Sequence, residues 1–461
     1  MRDMRTHESF VGSGKVRKSY KKVKQRNYAW APIVVMLVVA SAVFMAFFTT
    51  APHIGTNSYG YRSVENDLGA GNTTPDIIPV PTAPYFIVAW YGYNIHQKMW
   101  YVNVTRIDGN DGSIINTNTV TTDLYIYSGH PSGLQPRIAL DPDDKAFLVI
   151  WYSENKSLVG KILDDQGRPW FNTFVINDTS VSVDYHNFGI AYIGNSKFLI
   201  TWNTGGYDSY FTIVQFTGSG NSGVSVDSSK LLSSDTAHSH VNHPVATNIS
   251  NDRTMVLWRN STGARGKYNI TAKIFTSNMS SIVKNDFTVA DGRDDSKGYD
   301  MPNVAAGDNE FFVVYANRNS PYDAHAKIYD INGNLITSLD LPTTGSAIKY
   351  YGMGVAYNGS GGFVVTMPDN NRNIIAILYD THGNLVWQHT IIADGSSNEG
   401  PRVAVLTDSN GNPVYQFVWN DATNGIVRTS YWQESELVPE FSAAIPMLAI
   451  LLVLVAIWRR K

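Results

Sequence analysis

The 461-residue chain has a formal net charge of −3 and only 16% charged residues, against roughly a quarter in an average soluble domain. The charge is segregated: residues 1–30 hold nine Lys/Arg against Asp3 and Glu8, Arg459, Arg460 and Lys461 close the chain, and the span between sums to −13. This distribution excludes an ordinary cytosolic globular protein and an evenly basic nucleic-acid binder, and no nucleic-acid partner is expected.

In chain order, residues 1–30 form a basic tail and residues 31–50 a transmembrane signal anchor. Ala31 to Phe48 carries no charge, and about 20 apolar residues at 1.5 Å each cross a core of roughly 30 Å. The cluster from Lys15 to Arg26 stays in the cytoplasm by the positive-inside rule. A cleavable signal peptide is the alternative, since Thr49-Thr50-Ala51 offers small residues for a cut; the 30-residue lead and the long apolar run favour an uncleaved anchor. Residues 51–84 read as a linker with closing strands, 85–433 as the ectodomain, 434–440 as a juxtamembrane linker, 441–458 as a second transmembrane helix and 459–461 as a basic stop. Both ends are therefore expected in the cytoplasm and residues 51–440 outside the cell membrane.

The ectodomain repeats itself. A strand of the form aromatic-x-apolar-x-Trp/Tyr ends at residues 90, 151, 202, 258, 315, 367 and 419, giving seven units. Six of these strands follow another apolar strand with Ile/Val-Ala at its centre, such as Pro136-Arg137-Ile138-Ala139 and Pro401-Arg402-Val403-Ala404. A third strand follows, clearest at Ala326 to Asp330 and Ala376 to Asp380, then a turn and a fourth strand. Turns such as Asp330-Ile-Asn-Gly333 suit a type I turn closed by Gly, and Asp330 to Asn334 and Asp408 to Asn412 read as hairpin turns rather than calcium loops. Four antiparallel strands repeated seven times predict an all-β, seven-bladed β-propeller flanked by an N-terminal and a C-terminal transmembrane helix. Two stacked sandwiches are the alternative. The repeat starts on a second strand and ends on a third, so residues 58–80 are candidates for the missing first and outer strands.

Two resemblances bear on this reading. Val438-Pro439-Glu440-Phe441, the apolar run and Arg-Arg-Lys resemble the PEF-CTERM class of archaeal sorting tails, which implies an archaeal surface protein and archaeosortase processing near Pro439; a plain span is the other reading. Residues 84–433 resemble the FVVxW/PxVA propeller repeats of large secreted or surface proteins, a likeness of fold with no catalytic motif attached.

Function on such a scaffold lies in loops. Aligning the inner strands places Tyr185, His240, Tyr299, Tyr350 and Asn398 at one rim position and His186, Asp300, Tyr351 and Glu399 at the next, a set suited to stacking and hydrogen-bonding a ligand. The bland reading is that these tyrosines pack in every blade. His238, His240 and His243 have spacing that can bring imidazoles onto Zn²⁺, and Asp291, Asp294 and Asp295 carry oxygens suited to Ca²⁺; surface loops that are merely His-rich or acidic are the counter-readings, and no cofactor is otherwise predicted. Sequons begin at Asn72, Asn103, Asn155, Asn177, Asn248, Asn260, Asn269, Asn278 and Asn358, little above chance, and mark expected glycosylation sites. The expectation is a membrane-anchored binding, adhesion or envelope-structural module with surface glycans or envelope proteins as partners. The alternative is a carbohydrate-active hydrolase or lyase using Asp300 and Glu399.

Overall fold

The structure, a computed structural model, describes residues 61–434 except 71–73, 95, 123, 125, 128–129, 132–134, 144, 156, 178–187, 205–207, 218–222, 234–244, 249, 262–267, 293–298, 318–322 and 343–351; for some strand residues, Asp300 among them, it describes the backbone alone. The two apolar segments expected to flank the propeller lie outside these residues, and among the described residues no helix is long and apolar enough to cross a membrane.

Four antiparallel strand positions recur seven times, and the protein is a seven-bladed β-propeller. Blade 1 consists of Asp76–Val80, Tyr85–Asn94, Met99–Asp108 and Ile114–Thr121, from the axis outward. The inner strands of blades 2 to 7 are Arg137–Asp141, Phe188–Tyr192, Val245–Asn248, Tyr299–Ala306, Gly354–Tyr357 and Asn398–Thr407. Each packs beside the inner strand of the next blade, and Asn398–Thr407 also packs beside Asp76–Val80, so the cycle closes. Stacked sandwiches contain no such cycle.

The period of two along a strand explains why the repeat has its form. Phe147, Val149 and Trp151 enter the core shared with blade 1, while Leu148 and Ile150 enter the core shared with blade 3. In blade 7, Tyr415, Phe417 and Trp419 face blade 6, and Val414 and Val418 face blade 1. The same set faces the preceding blade all round the ring, so each blade interface has its own apolar core. Each large side chain fully buried this way contributes about 1.5–3 kcal/mol, and the fold needs no disulfide in a chain without Cys.

The hairpin turns hold themselves. Asp330 accepts hydrogen bonds from the backbone N–H groups of Asn332 (2.9 Å) and Asn334 (2.8 Å), and Gly333 takes φ of 81°. Asp380 and Asp408 repeat the arrangement. Burial raises the Asp330 and Asp380 carboxyls, but these hydrogen bonds outweigh it and hold both below the usual range.

The ring is sealed by a strand that precedes blade 1. Tyr61–Ala70 pairs antiparallel with Ile426–Glu434 as the outer strand of blade 7, and Asp76–Val80 is the inner strand of blade 1. These two strands lie within residues 58–80, the candidates for the missing outer and first strands. Gly69 sits against Trp90, where an added Cβ would stand 2.9 Å from the indole. Tyr431 donates to the carbonyls of Gly109 (3.1 Å) and Asn110 (2.7 Å), and Asn66 donates to Gly112 O (2.8 Å), fastening blade 7 to a turn of blade 1.

Within blade 7, Arg428 lies among Asp394 (2.7 Å), Asp421 (3.2 Å) and Asp67 of the sealing strand (3.4 Å). Burial raises the Asp394 carboxyl, but hydrogen bonds from Ser396 and Asn398 and the Arg428 charge outweigh it and hold it below the usual carboxylate range. A folded pKa below the unfolded one stabilises the fold above the unfolded value of about 3.9, and that contribution disappears as pH falls through the folded value. Asp394→Asn is expected to lower stability at pH 7 by about 1–3 kcal/mol and to flatten the loss on acidification. Urea unfolding at pH 7 and pH 3 measures both; an unchanged pH dependence contradicts the assignment.

Candidate functional site

Each inner strand starts on the face that carries the outer-to-inner connections, here called the upper face, and runs down the central channel. One position near the upper end of each of these strands therefore belongs to a ring at the upper mouth. Register on the second strands identifies the equivalent positions as Asp76, Arg137, Gly189, Asn303, Gly354 and Arg402, opposite Ala89, Ile150, Thr201, Val314, Thr366 and Val418. The seventh, Pro244 by sequence, lies outside the described residues. Since blade 7 adjoins blade 1, Arg402, Asp76 and Arg137 are consecutive around the ring.

Asp76 Oδ1 lies 3.9 Å from Arg137 Nη1, and Asp76 Oδ2 accepts the backbone N–H of Ile138 at 3.1 Å. Arg402 is 7% exposed; it donates to Gln135 Oε1 (3.1 Å), reaching over blade 1, and to Pro401 O (2.9 Å). Burial and the like charge of Arg137 push the Arg402 pKa down to about 9 against the pull of Asp76. Burial also lowers Arg137, again opposed by Asp76. At this level a cavity of about 400 Å³ is lined by Asp76, Arg137, Asn303 and Arg402 of the ring together with Thr247, Ile78, Ile190 and Val355.

Local backbone devices place the ring. In blades 5 and 7 the register shifts between Asp300 and Asn303 and between Glu399 and Arg402, with Met301 at φ 51° and Gly400 at φ 57°. Such bulges re-aim the residues that follow them. Gly354 permits the close approach of blades 6 and 7, because an added Cβ would lie 2.8 Å from Arg402 Cα and 2.7 Å from Thr366 Cγ2.

Of the rim residues expected from sequence, Tyr185, His186, His240, Tyr350 and Tyr351 lie outside the described residues. Tyr299 is half-buried and packs edge-on against Tyr315 (5.4 Å) and His325 (5.9 Å), so it serves the blade's own packing. Asn398 is buried and accepts from Trp419 Nε1 (2.9 Å). Glu399 is buried and ion-paired with Arg372 at 3.4 Å. The backbone of Asp300 pairs with Ala316.

His238, His243, Asp294 and Asp295 lie outside the described residues, Asp291 is exposed, and no three His, Cys, Asp or Glu side chains converge as a metal site among the described residues. Asn72 is also outside them. Asn103, Asn177, Asn248, Asn269 and Asn358 are buried, with side chains hydrogen-bonded inward to Thr119, Leu158, Gly307, Gly292 and Gly362. Asn260 is half-buried, and Asn155 and Asn278 are exposed.

The charged ring was missed at the sequence level although its residues stand in the repeat. The signal was Arg in two Pro-Arg-Ile/Val-Ala segments, and Asp76 ahead of Ile-Ile-Pro-Val, in strands otherwise apolar at that point.

No protein-family description matches the sequence, and no curated protein matches it. Solved structures to which the chain is similar include the β-propeller domain of Cps50 (Swd1) from Myceliophteria thermophila, at 11% identity, TM-score 0.45, 80% of this chain and 99% of that one. The polysaccharide lyase Uly1 matches at 9% identity, TM-score 0.49, 83% and 94%, and the propeller domain of the Trilobed protease from Pyrococcus furiosus at 10%, 0.43, 80% and 99%. At these identities the likeness is one of fold alone.

Gly354→Val is expected to cost about 1–3 kcal/mol through overpacking beside Arg402, seen as a lower thermal midpoint. Unchanged stability contradicts the close packing of blades 6 and 7.

Proposed function

We propose that the protein is a membrane-anchored, extracytoplasmic binding module whose propeller turns its upper channel mouth away from the bilayer. The observation that supports this best is the exit of the chain from the propeller: Tyr61 pairs with Glu434. An outer strand starts on the lower face and a third strand ends there, so both ends leave side by side from the lower edge of blade 7. Twelve residues separate Phe48 from Tyr61 and six separate Glu434 from Phe441. At about 3.3–3.6 Å per extended residue these tethers are short, and in this reading both apolar segments enter one membrane beneath the lower face.

The lower edge gives further support. Ile114, Ile115, Ile282, Leu335, Ile336, Leu385 and Val386 begin the outer strands of blades 1, 4, 5 and 6 and are all exposed. Exposed apolar groups at the lower ends of these outer strands fit an interfacial environment better than open water. Processing near Pro439 by an archaeosortase would exchange the second apolar segment for a lipid and leave this orientation unchanged. Asn155 and Asn278 remain as glycan acceptors, and surface glycans or envelope proteins are the partners such a module meets.

Because the chain has no Cys, single substitutions report orientation cleanly. His96→Cys, in the exposed upper hairpin of blade 1, is expected to react several-fold faster with a bulky membrane-impermeant maleimide on intact cells than Asn332→Cys in the lower turn of blade 5. Equal rates or the reverse order reject the orientation, and no labelling of either position rejects an extracytoplasmic propeller.

A further inference from the structure

We propose that the upper channel binds a neutral polyhydroxylated molecule of monosaccharide size, one hydroxyl bridging Asp76 and Arg137 and the others meeting the backbone edges of the inner strands. This deepens the binding-module reading and rests on it.

The gap between Asp76 and Arg137 is the first reason. Both side chains line the cavity and are partly open to it, 16% and 24% exposed. Asp76 Oδ1 and Arg137 Nη1 stand 3.9 Å apart, too far for a hydrogen bond. The second oxygen of Asp76 is taken by the Ile138 N–H. The pair therefore presents a charged acceptor and a charged donor side by side, with no net charge. A hydroxyl oxygen about 2.8 Å from each fits between them, donating its hydrogen to Oδ1 while a lone pair accepts from Nη1. A group that only accepts, such as a carboxylate, meets repulsion from Asp76, and a group that only donates, such as an ammonium, meets it from Arg137. Arg402 is already engaged by Gln135 and Pro401, and the bridge does not require it.

The wall below the ring makes the same demand. Each inner strand is the axial edge of its own sheet, and an edge strand turns part of its N–H and C=O groups away from the ladder. At the ring, side chains meet such groups: Asp76 the Ile138 N–H, Asn303 Nδ2 the Met353 carbonyl, and Arg402 the Pro401 carbonyl. Just below, the lining residues include Ile78, Ile190, Val245, Val355 and Val403. Their side chains pack into the cores between blades and have no polar atom to cap a backbone group. Backbone donors and acceptors therefore face the axis there despite the aliphatic sequence, and Thr247 adds a hydroxyl. A molecule with several hydroxyls matches such a wall, because each hydroxyl both donates and accepts and reproduces the hydrogen bonds of the water it displaces. The volume of about 400 Å³ falls within the range of small-molecule sites, roughly 300–1,000 Å³.

The test is isothermal titration of the full-length chain in a polyoxyethylene detergent, which has no sugar headgroup. The probes are methyl α-D-mannopyranoside, methyl α-D-glucopyranoside, methyl β-D-galactopyranoside and myo-inositol, with cyclohexanol and acetate as controls. The expected result is saturable one-site binding of at least one probe and no binding of cyclohexanol, which has a single hydroxyl, or of acetate, which cannot donate. Asp76→Asn keeps an oxygen for the Ile138 N–H but turns an amide donor toward Arg137, so it is expected to weaken the bound probe about tenfold or more while the chain stays folded. Arg137→Gln is expected to weaken it to a similar extent, and Asp76→Asn remains readable should Arg137→Gln fail to fold. The proposal is overturned by the absence of saturation with all four probes, which would leave water alone in the channel. It is equally overturned by cyclohexanol or acetate binding as tightly as the best probe, or by an affinity indifferent to Asp76→Asn. None of these outcomes bears on maleimide labelling at His96→Cys and Asn332→Cys, so failure of the ligand and failure of the orientation are distinguishable.

Discussion

A propeller has one seam, and everything in this one depends on how that seam is sealed. Blade 7 obtains three strands from the end of the chain and its outer strand, Tyr61–Ala70, from before blade 1. Without that strand, Ile426–Glu434 would present a long unpaired edge, the feature that sheet proteins avoid. The Arg428 cluster and the Tyr431 hydrogen bonds sit at the same seam, so side-chain chemistry reinforces backbone pairing there.

Two structural features follow from closure. Bringing blade 7 against blade 1 sets Arg402 beside Asp76 and within electrostatic reach of Arg137, a juxtaposition of residues that are separated by most of the chain. It also brings the two chain exits together at one lower edge. The charged end of the channel and the exits are consequently on opposite faces, fixed by strand direction alone.

The fold was legible because its defining interaction is repeated. Phe-x-Val-x-Trp places one set of side chains against the preceding blade and the other against the following one, and seven copies leave little freedom of interpretation. Even the sealing strand was foreshadowed, since the repeat began on a second strand and ended on a third. The site was less legible because its residues belong to blades 1, 2 and 7, and only register around the ring makes them neighbours. Tyr299, a repeat-equivalent aromatic near the rim, packs with Tyr315 and His325, contacts set by the blade's own register. Burial of Asn103 or Asn248 was similarly invisible, because a sequon reports local sequence while the inward hydrogen bond depends on a neighbouring strand or blade.

Hydrogen exchange of the full-length chain, read by mass spectrometry on peptides covering residues 61–70, tests the closed ring most directly. Amides in Tyr61–Ala70 that bond to Ile426–Glu434 should exchange as slowly as those of an interior strand such as Ile374–Asp380, because both then open only with the propeller. Exchange of residues 61–70 at the rate of the exposed hairpin at 96–98, with the remaining blades protected, would show an open seam and contradict the account.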